Sequence, residues 1–173
     1  MDTELPKRKR TRLRNFDYSK NGFYFITICT KDRKSILSKI TVGEGSPLPQ
    51  KSVDLLLTKY GEAVNECIHN IPKKFKAVSV DKYVVMPNHI HLLFSIQGNG
   101  GRGDPSPTVI ALVAWLKYKS TSEINRLRLT NGEPVFQRSF HDHVIRNRED
   151  YVMIYKYIND NPKRWKEDCF YNE

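Results

Sequence analysis

Apolar positions change period several times along the chain, and each change marks an element. Residues 23–29 are apolar or aromatic on both faces, which predicts a central strand covered on at least one side. Val53, Leu56, Leu57, Tyr60, Val64, Cys67, Ile68 and Ile71 recur at helical spacing, and the pattern stops at Pro72; this predicts a first helix. Residues 75–85 and 89–96 read as a hairpin broken at Met86-Pro87-Asn88, where proline removes a ladder donor. Val109, Leu112, Val113, Leu116, Ile124 and Leu127 give a second helix one apolar face. Asn131-Gly132 turns the chain, residues 135–145 read as a fourth strand, and residues 148–161 as a last helix stopped by Pro162. Residues 43–49 and 97–107 are loops rich in glycine and proline, and no Gly-Lys-Ser/Thr closes the second into a phosphate cradle.

The order β-α-β-β-α-β-α predicts an α+β fold, a ferredoxin-like split βαβ sandwich with an additional C-terminal helix. In that topology the first and third strands are central. The length fits one domain, residues 16–173, preceded by a basic arm at residues 1–15.

Charge narrows the class of partner. Lys and Arg number 29 against 19 Asp and Glu, a formal net charge of +10, which predicts attraction to polyanions and to nucleic acid first. Lys7, Arg8, Lys9, Arg10, Arg12 and Arg14 concentrate cations in the arm and are candidate DNA contacts. Lys117 and Lys119 on the second helix are further candidates, although a solvated helix face suits either of them. Cys29, Cys67 and Cys169 form no Cys-x-x-Cys pair, so neither a disulfide framework nor a thiolate zinc site is expected. No segment has the pattern of a signal peptide or a membrane span, and the expected location is cytoplasmic.

The stretch from Lys82 to Phe94 carries the candidate chemistry. Side chains on a strand alternate faces, so His89 and His91 project together, with Leu93 continuing their face and Ile90, Leu92 and Phe94 opposite. Two histidines at i, i+2 can share one metal ion. An isolated His-x-His pair also suits an exposed polar face, but this one sits in an apolar run where uncompensated imidazoles would be costly to bury. His141 and His143 form a second such pair among polar neighbours and rank below the first.

The last helix holds Tyr151, Tyr155 and Tyr157. Tyr151, Ile154, Tyr155 and Ile158 form one stripe, which assigns Tyr151 and Tyr155 to packing. Tyr157 lies at the border of that stripe, with Asn161 one turn below on its own face. Helical position alone leaves it an ordinary boundary tyrosine.

Several motifs in order resemble one family. Met86-Pro87-Asn88-His89-Ile90-His91-Leu92-Leu93, then Phe136-Gln137-Arg138, Phe140, His143 and Ile145-Arg146, then Tyr157-Ile158 with Asn161-Pro162, are similar to the REP-associated tyrosine transposases. These belong to the HUH single-tyrosine transposases of small insertion sequences. Asp17-Tyr18-Ser19 and the strand that follows resemble the family's N-terminal strand, and Phe136 stands where tryptophan is expected. The resemblance implies an enzyme that cleaves and rejoins single-stranded or hairpin DNA through a 5′-phosphotyrosine. It implies Tyr157 as the nucleophile on the additional helix. It implies a divalent metal, Mg²⁺ or Mn²⁺, held by His89, His91 and Asn161. Some relatives build each site from two chains, which requires a homodimer.

Two other readings stay open at this point. A ferredoxin-like sheet with a basic surface can bind nucleic acid without catalysis, although the Gly-Phe-rich signature strand of an RNA-binding sheet is absent. A domesticated relative could bind palindromes and nick them without moving an element.

Overall fold

Alternation along the second predicted hairpin strand sets the architecture, because both of its faces must be covered. A computed structural model describes residues 17, 20–42, 53–98 and 107–171. The strands are β1 (Gly22–Cys29), β2 (Ser38–Val42), β3 (Val53–Leu57), β4 (Val78–Val85), β5 (His89–Ile96) and β6 (His141–Ile145). The helices are α1 (Lys59–His69), α2 (Ile71–Lys74), α3 (Val109–Arg128) and α4 (Arg148–Asp160), followed by a 3-10 segment at Asn161–Glu167. Four strands form an antiparallel sheet in the order β4-β5-β1-β6, and β2 pairs with β3 in a separate hairpin. This is the ferredoxin-like order expected from the sequence, with β1 and β5 central.

The two faces of the sheet have different cover. Tyr24, Ile26 and Ile28 of β1 and Ile90, Leu92, Phe94 and Ile96 of β5 pack against Val64 and Ile68 of α1 and Leu112, Val113 and Leu116 of α3. On the other face, Phe25, Val84, Met86, Leu93 and Ile145 pack against Ile158, Tyr151 and Ile154 of α4. Every residue of β5 is buried, so its histidine face lies under α4 rather than in solvent.

The first helix is shorter than its apolar spacing suggests. Val53–Leu57 is a strand, with Asp54 and Leu56 exposed and the residues between them half-buried. Val53, Leu56 and Leu57 fit helical spacing as well as alternation, and the cap decides between them. Thr58 is extended, and its hydroxyl accepts from the amides of Tyr60 and Gly61, starting α1 there. The fourth strand is also shorter, beginning at His141. Before it, Phe136 makes one isolated bridge to Thr30, and the carbonyls of Gln137, Arg138 and Ser139 accept from Lys117 Nζ instead of a neighbouring strand. β4 starts at Val78 rather than at 75, because the α2 turn carries the chain through Phe75. The expected loop at 43–49 and the body of that at 97–107 lie outside the described residues, as does the basic arm.

A bulge in β4 ties α4 to the sheet. Pairing with β5 skips from Val80 to Lys82, leaving Asp81 between them. Asp81 Oδ2 accepts from the Tyr151 hydroxyl at 3.1 Å, and Lys82 Nζ donates to Asn159 Oδ1 at 3.1 Å. Tyr151 also stands edge-on to Phe23 at 5.1 Å between ring centroids.

Candidate active site

Period-two alternation places His89 and His91 side by side, and their immediate neighbours orient them. His89 Nε2 and His91 Nε2 lie 3.0 Å apart. His89 Nδ1–H donates to Asn88 Oδ1 at 2.9 Å, because an amide oxygen only accepts, so Nε2 of the neutral ring is bare. Asn88 is itself fixed, its Nδ2 donating to the Phe170 carbonyl at 2.7 Å. Across the ladder, Thr27 is the partner of His91 in register, and its Oγ1 lies 2.9 Å from His91 Nδ1. That hydroxyl can accept from Nδ1–H, leaving Nε2 of His91 bare as well. Orientation of each ligating ring through its other nitrogen is the usual arrangement in metal sites.

Burial keeps both rings neutral. It pushes His89 down to about 4, with Arg33 acting in the same direction and Asp168 against it. His91 is held well below the usual histidine range by burial first and by His89 second.

The C-terminal residues complete the cluster. One ligand atom from each of His89, His91 and Asp168 lies within 4.8 Å of the other two. The Asp168 carboxylate accepts from Asn161 Nδ2 at 2.9 Å and from the Phe170 amide at 2.7 Å. Phe170 packs on His89 at 4.7 Å between ring centroids, and the Arg33 guanidinium lies over the Phe170 ring at 5.2 Å from its centroid. Asn161 is buried, and its Oδ1 has no hydrogen-bond partner among the described residues. Two imidazole Nε2 atoms 3.0 Å apart, a carboxylate and a buried amide oxygen form a donor set suited to a divalent cation with open positions.

Tyr157 reaches the same corner from α4. Its hydroxyl lies 3.2 Å from His91 Nε2, and Phe25 stands edge-on to its ring at 6.1 Å. Burial pushes its phenol up to about 12; Asp168 and Cys169 add to the rise, while Asn161 and Arg164 oppose it. Tyr155 differs from its expected packing role, since it is 41% exposed, as Tyr157 is. Its ring faces outward under Lys82 Nζ at 5.1 Å. Direction, not burial, distinguishes the two tyrosines.

The other candidates lie elsewhere. Lys117 and Lys119 sit on α3, across the sheet from the histidines, and Lys117 Nζ is engaged by three carbonyls. His141 and His143 share the histidine face on β6, and His141 shares the register row of Thr27 and His91. His143 Nε2 pairs with Asp150 Oδ2 at 2.7 Å, and His141 neighbours Phe170 at 6.3 Å. Asp168 and Asn88 were not among the sequence candidates. Asn88 directly precedes the first histidine, and an amide there is a readable signal for a ring-orienting partner; Asp168 has no comparable local pattern.

Comparison with known proteins identifies the family. The family profile described as "Transposase IS200 like" matches residues 18–161. An uncharacterised protein of Haemophilus influenzae is 32% identical, over 95% of this chain and 93% of its own length. A second protein of that organism, named as a candidate REP-associated tyrosine transposase, is 26% identical over 84% of this chain and 73% of its own. A solved structure of a REP-associated tyrosine transposase bound to a REP hairpin superposes with a TM-score of 0.58 at 19% identity, covering 89% of this chain and 73% of that one. No described helix is long and apolar enough to cross a membrane. With a family match that spans the sheet, the histidine pair, Tyr157 and Asn161, the chain belongs to the IS200-like transposases.

Proposed function

We propose that this transposase cleaves and rejoins single-stranded or hairpin DNA through a 5′-phosphotyrosine on Tyr157, with Mg²⁺ or Mn²⁺ held by His89, His91 and Asn161. The observation that carries the reading is the phenol oxygen 3.2 Å from His91 Nε2, at the edge of the donor cluster. Asp168 belongs to the same ligand set by proximity, and Asn161 serves it twice, holding the carboxylate through Nδ2 and offering Oδ1. A bound divalent cation would polarise the scissile phosphate and offset the charge that develops on it.

The residues of the chain do the remainder. Tyr157 attacks phosphorus through its phenol oxygen; the bond from phosphorus to the 3′-oxygen breaks, and that oxygen leaves as a 3′-hydroxyl after taking a proton. The phosphodiester is exchanged rather than hydrolysed, so rejoining needs no nucleotide cofactor. Burial and Asp168 hold the free phenol protonated at neutral pH, so nucleophilicity depends on positive charge arriving beside it. His91 Nε2 can hold a metal or accept the phenol proton, not both, and the 41% exposure of Tyr157 leaves solvent as the proton's exit. The arm cations Lys7 to Arg14 are proposed to hold the DNA backbone, and Lys119 is proposed as a contact remote from the cut.

A hairpin is the proposed form of the substrate, by analogy with the DNA in the solved relative. The test is a single-stranded oligonucleotide pool labelled 3′ of its randomised stretch, incubated with Mg²⁺ or Mn²⁺. The wild type should retain label after denaturation, with the adduct mapping to Tyr157. Tyr157→Phe should bind DNA and form no adduct. Label retained by that variant, or an adduct on Tyr151 or Tyr155, overturns the assignment.

A further inference from the structure

The His89, His91 and Asp168 cluster does not account for the space beside it. An open cleft of about 430 Å³ lies between α4 and the 3-10 segment, within the size range of small-ligand sites. Met153, Lys156, Tyr157 and Asp160 form one of its walls, at i, i+3, i+4 and i+7 on a single helix face. Arg164 and Asp168 line the opposite side. Tyr157 and Asp168 therefore belong both to the cleft and to the catalytic corner.

The lining has the chemistry of a nucleotide site. Met153 is 65% exposed, a large thioether side chain lining the cleft. Such a side chain packs readily on an aromatic ring face. Lys156 is exposed, with no ion pair among the described residues. Arg164 engages Glu167 through Nε at 3.0 Å, and its two terminal amino groups extend beyond that pair. Asp160 is half-buried in the same wall, and one oxygen accepts weakly from Asn159 Nδ2 at 3.4 Å. Two cations and three carboxylates thus line the cleft beside the hydroxyl proposed to attack the phosphodiester; Glu167 is paired with Arg164 and Asp168 is held by Asn161 and the Phe170 amide, which leaves Asp160 as the carboxylate open to a ligand.

We propose that this cleft is a specificity subsite for one unpaired nucleotide flanking the scissile phosphate. The inference rests on the reading of Tyr157 as the nucleophile, because that is what brings a DNA strand to the cleft. Met153 packs on the base, Lys156 and Arg164 hold the flanking phosphate, and the Asp160 carboxylate accepts from the base edge. Guanine offers a carboxylate two adjacent donors, its ring N–H and its amino group. Thymine offers one ring N–H flanked by two carbonyl oxygens, which the negative charge repels. The subsite therefore selects guanine over thymine, by roughly fivefold to a hundredfold for one good bidentate base contact.

The test does not depend on cleavage. The chain has three methionines, Met1, Met86 and Met153, so methyl-labelled methionine gives a sparse spectrum. Met86 is fully buried under α4 and serves as the internal control. The full-length protein is titrated with dGMP and separately with dTMP at millimolar concentration. Expected is a shift of the Met153 methyl resonance with Met86 unmoved, and at least fivefold tighter binding of dGMP than dTMP. Asp160→Asn should bring that ratio close to one, and Arg164→Gln should weaken both nucleotides together. An unmoved Met153 resonance, or a base preference equal in wild type and Asp160→Asn, overturns the subsite. Because the readout is free of strand transfer, loss of the Tyr157 adduct would fault the catalytic reading without producing either result.

Discussion

Ile158→Ala tests how the proposed nucleophile is positioned. Ile158 is the one residue of α4 that is fully buried, at 1% exposure, and it packs among Val84, Met86, Leu93 and Ile145. The substitution removes three carbons, about 2.4 kcal/mol of transfer free energy at roughly 0.8 kcal/mol per methylene. The residual cavity brings the expected loss into the range of about 2–5 kcal/mol, and ~3 is a reasonable centre. For a chain of this size, that corresponds to a fall in Tm of roughly 6–12 °C. The helix is otherwise held by half-buried Tyr151 and Ile154 and by the contacts of Asp81 and Lys82, so its undocking equilibrium should rise by about a hundredfold. Hydrogen exchange of α4 amides should accelerate by that factor. Adduct formation should fall by about 10²-fold while DNA affinity holds, since a misplacement of roughly 1 Å at the nucleophile is enough for such a loss. Ile158→Val should cost only about 0.5–1.5 kcal/mol and keep most activity. Unchanged α4 protection together with a lowered Tm would refute the idea that this side chain anchors the helix.

Asp168→Asn keeps the shape of the side chain and removes its charge; Mn²⁺ affinity, read from the free-ion electron paramagnetic resonance signal, should drop by more than about tenfold. Equal affinity in wild type and variant would remove Asp168 from the ligand set. The metal-free protein should lose stability as pH falls from 6.5 to about 4, because the unfolded His89 protonates near its ordinary value and the buried ring only near the lower one. Urea midpoints in chelator, compared with His89→Gln, isolate that contribution, and identical slopes would refute it. Gly61→Ala places a Cβ 2.0 Å from the Leu37 carbonyl oxygen, which already accepts from the amide and hydroxyl of Thr58. Denaturant melts should show a net loss of about 2 kcal/mol or more, outweighing the ~1 kcal/mol by which alanine favours a helix; a neutral variant would mean that this contact yields freely.

What the sequence made legible follows from how local each signal is. The histidine face of β5 needed only alternation and the proline break before it, and the sheet order followed from the succession of periods. Val53, Leu56 and Leu57 satisfy two periods at once, and only Thr58 as a cap separates strand from helix. Helical arithmetic places Tyr155 in the packing stripe, yet it is 41% exposed, with Lys82 Nζ over its ring. Tyr157 needed the family resemblance, because its closeness to His91 spans two elements that no local pattern joins. Asp168 was missed for the same reason: it follows the last periodic stretch and meets the histidines only through tertiary structure.

The pairing of β1 has a consequence for the order in which the molecule assembles. β1 is made first, yet its two ladder neighbours are β5 and β6; Thr27 pairs with His91 on one side and His141 on the other. The β4–β5 hairpin can close locally, with the Met86 amide bonded to the His89 carbonyl across the turn. Until that hairpin docks, both edges of β1 are unpaired, and non-local closure of this kind is slow and exposes strand edges to other chains. β6 pairs with β1 alone among the described strands, and α4 follows β6 directly along the chain. The pairing that seats His91 beside Thr27 and the helix that brings Tyr157 over it therefore both depend on non-local closure around β1.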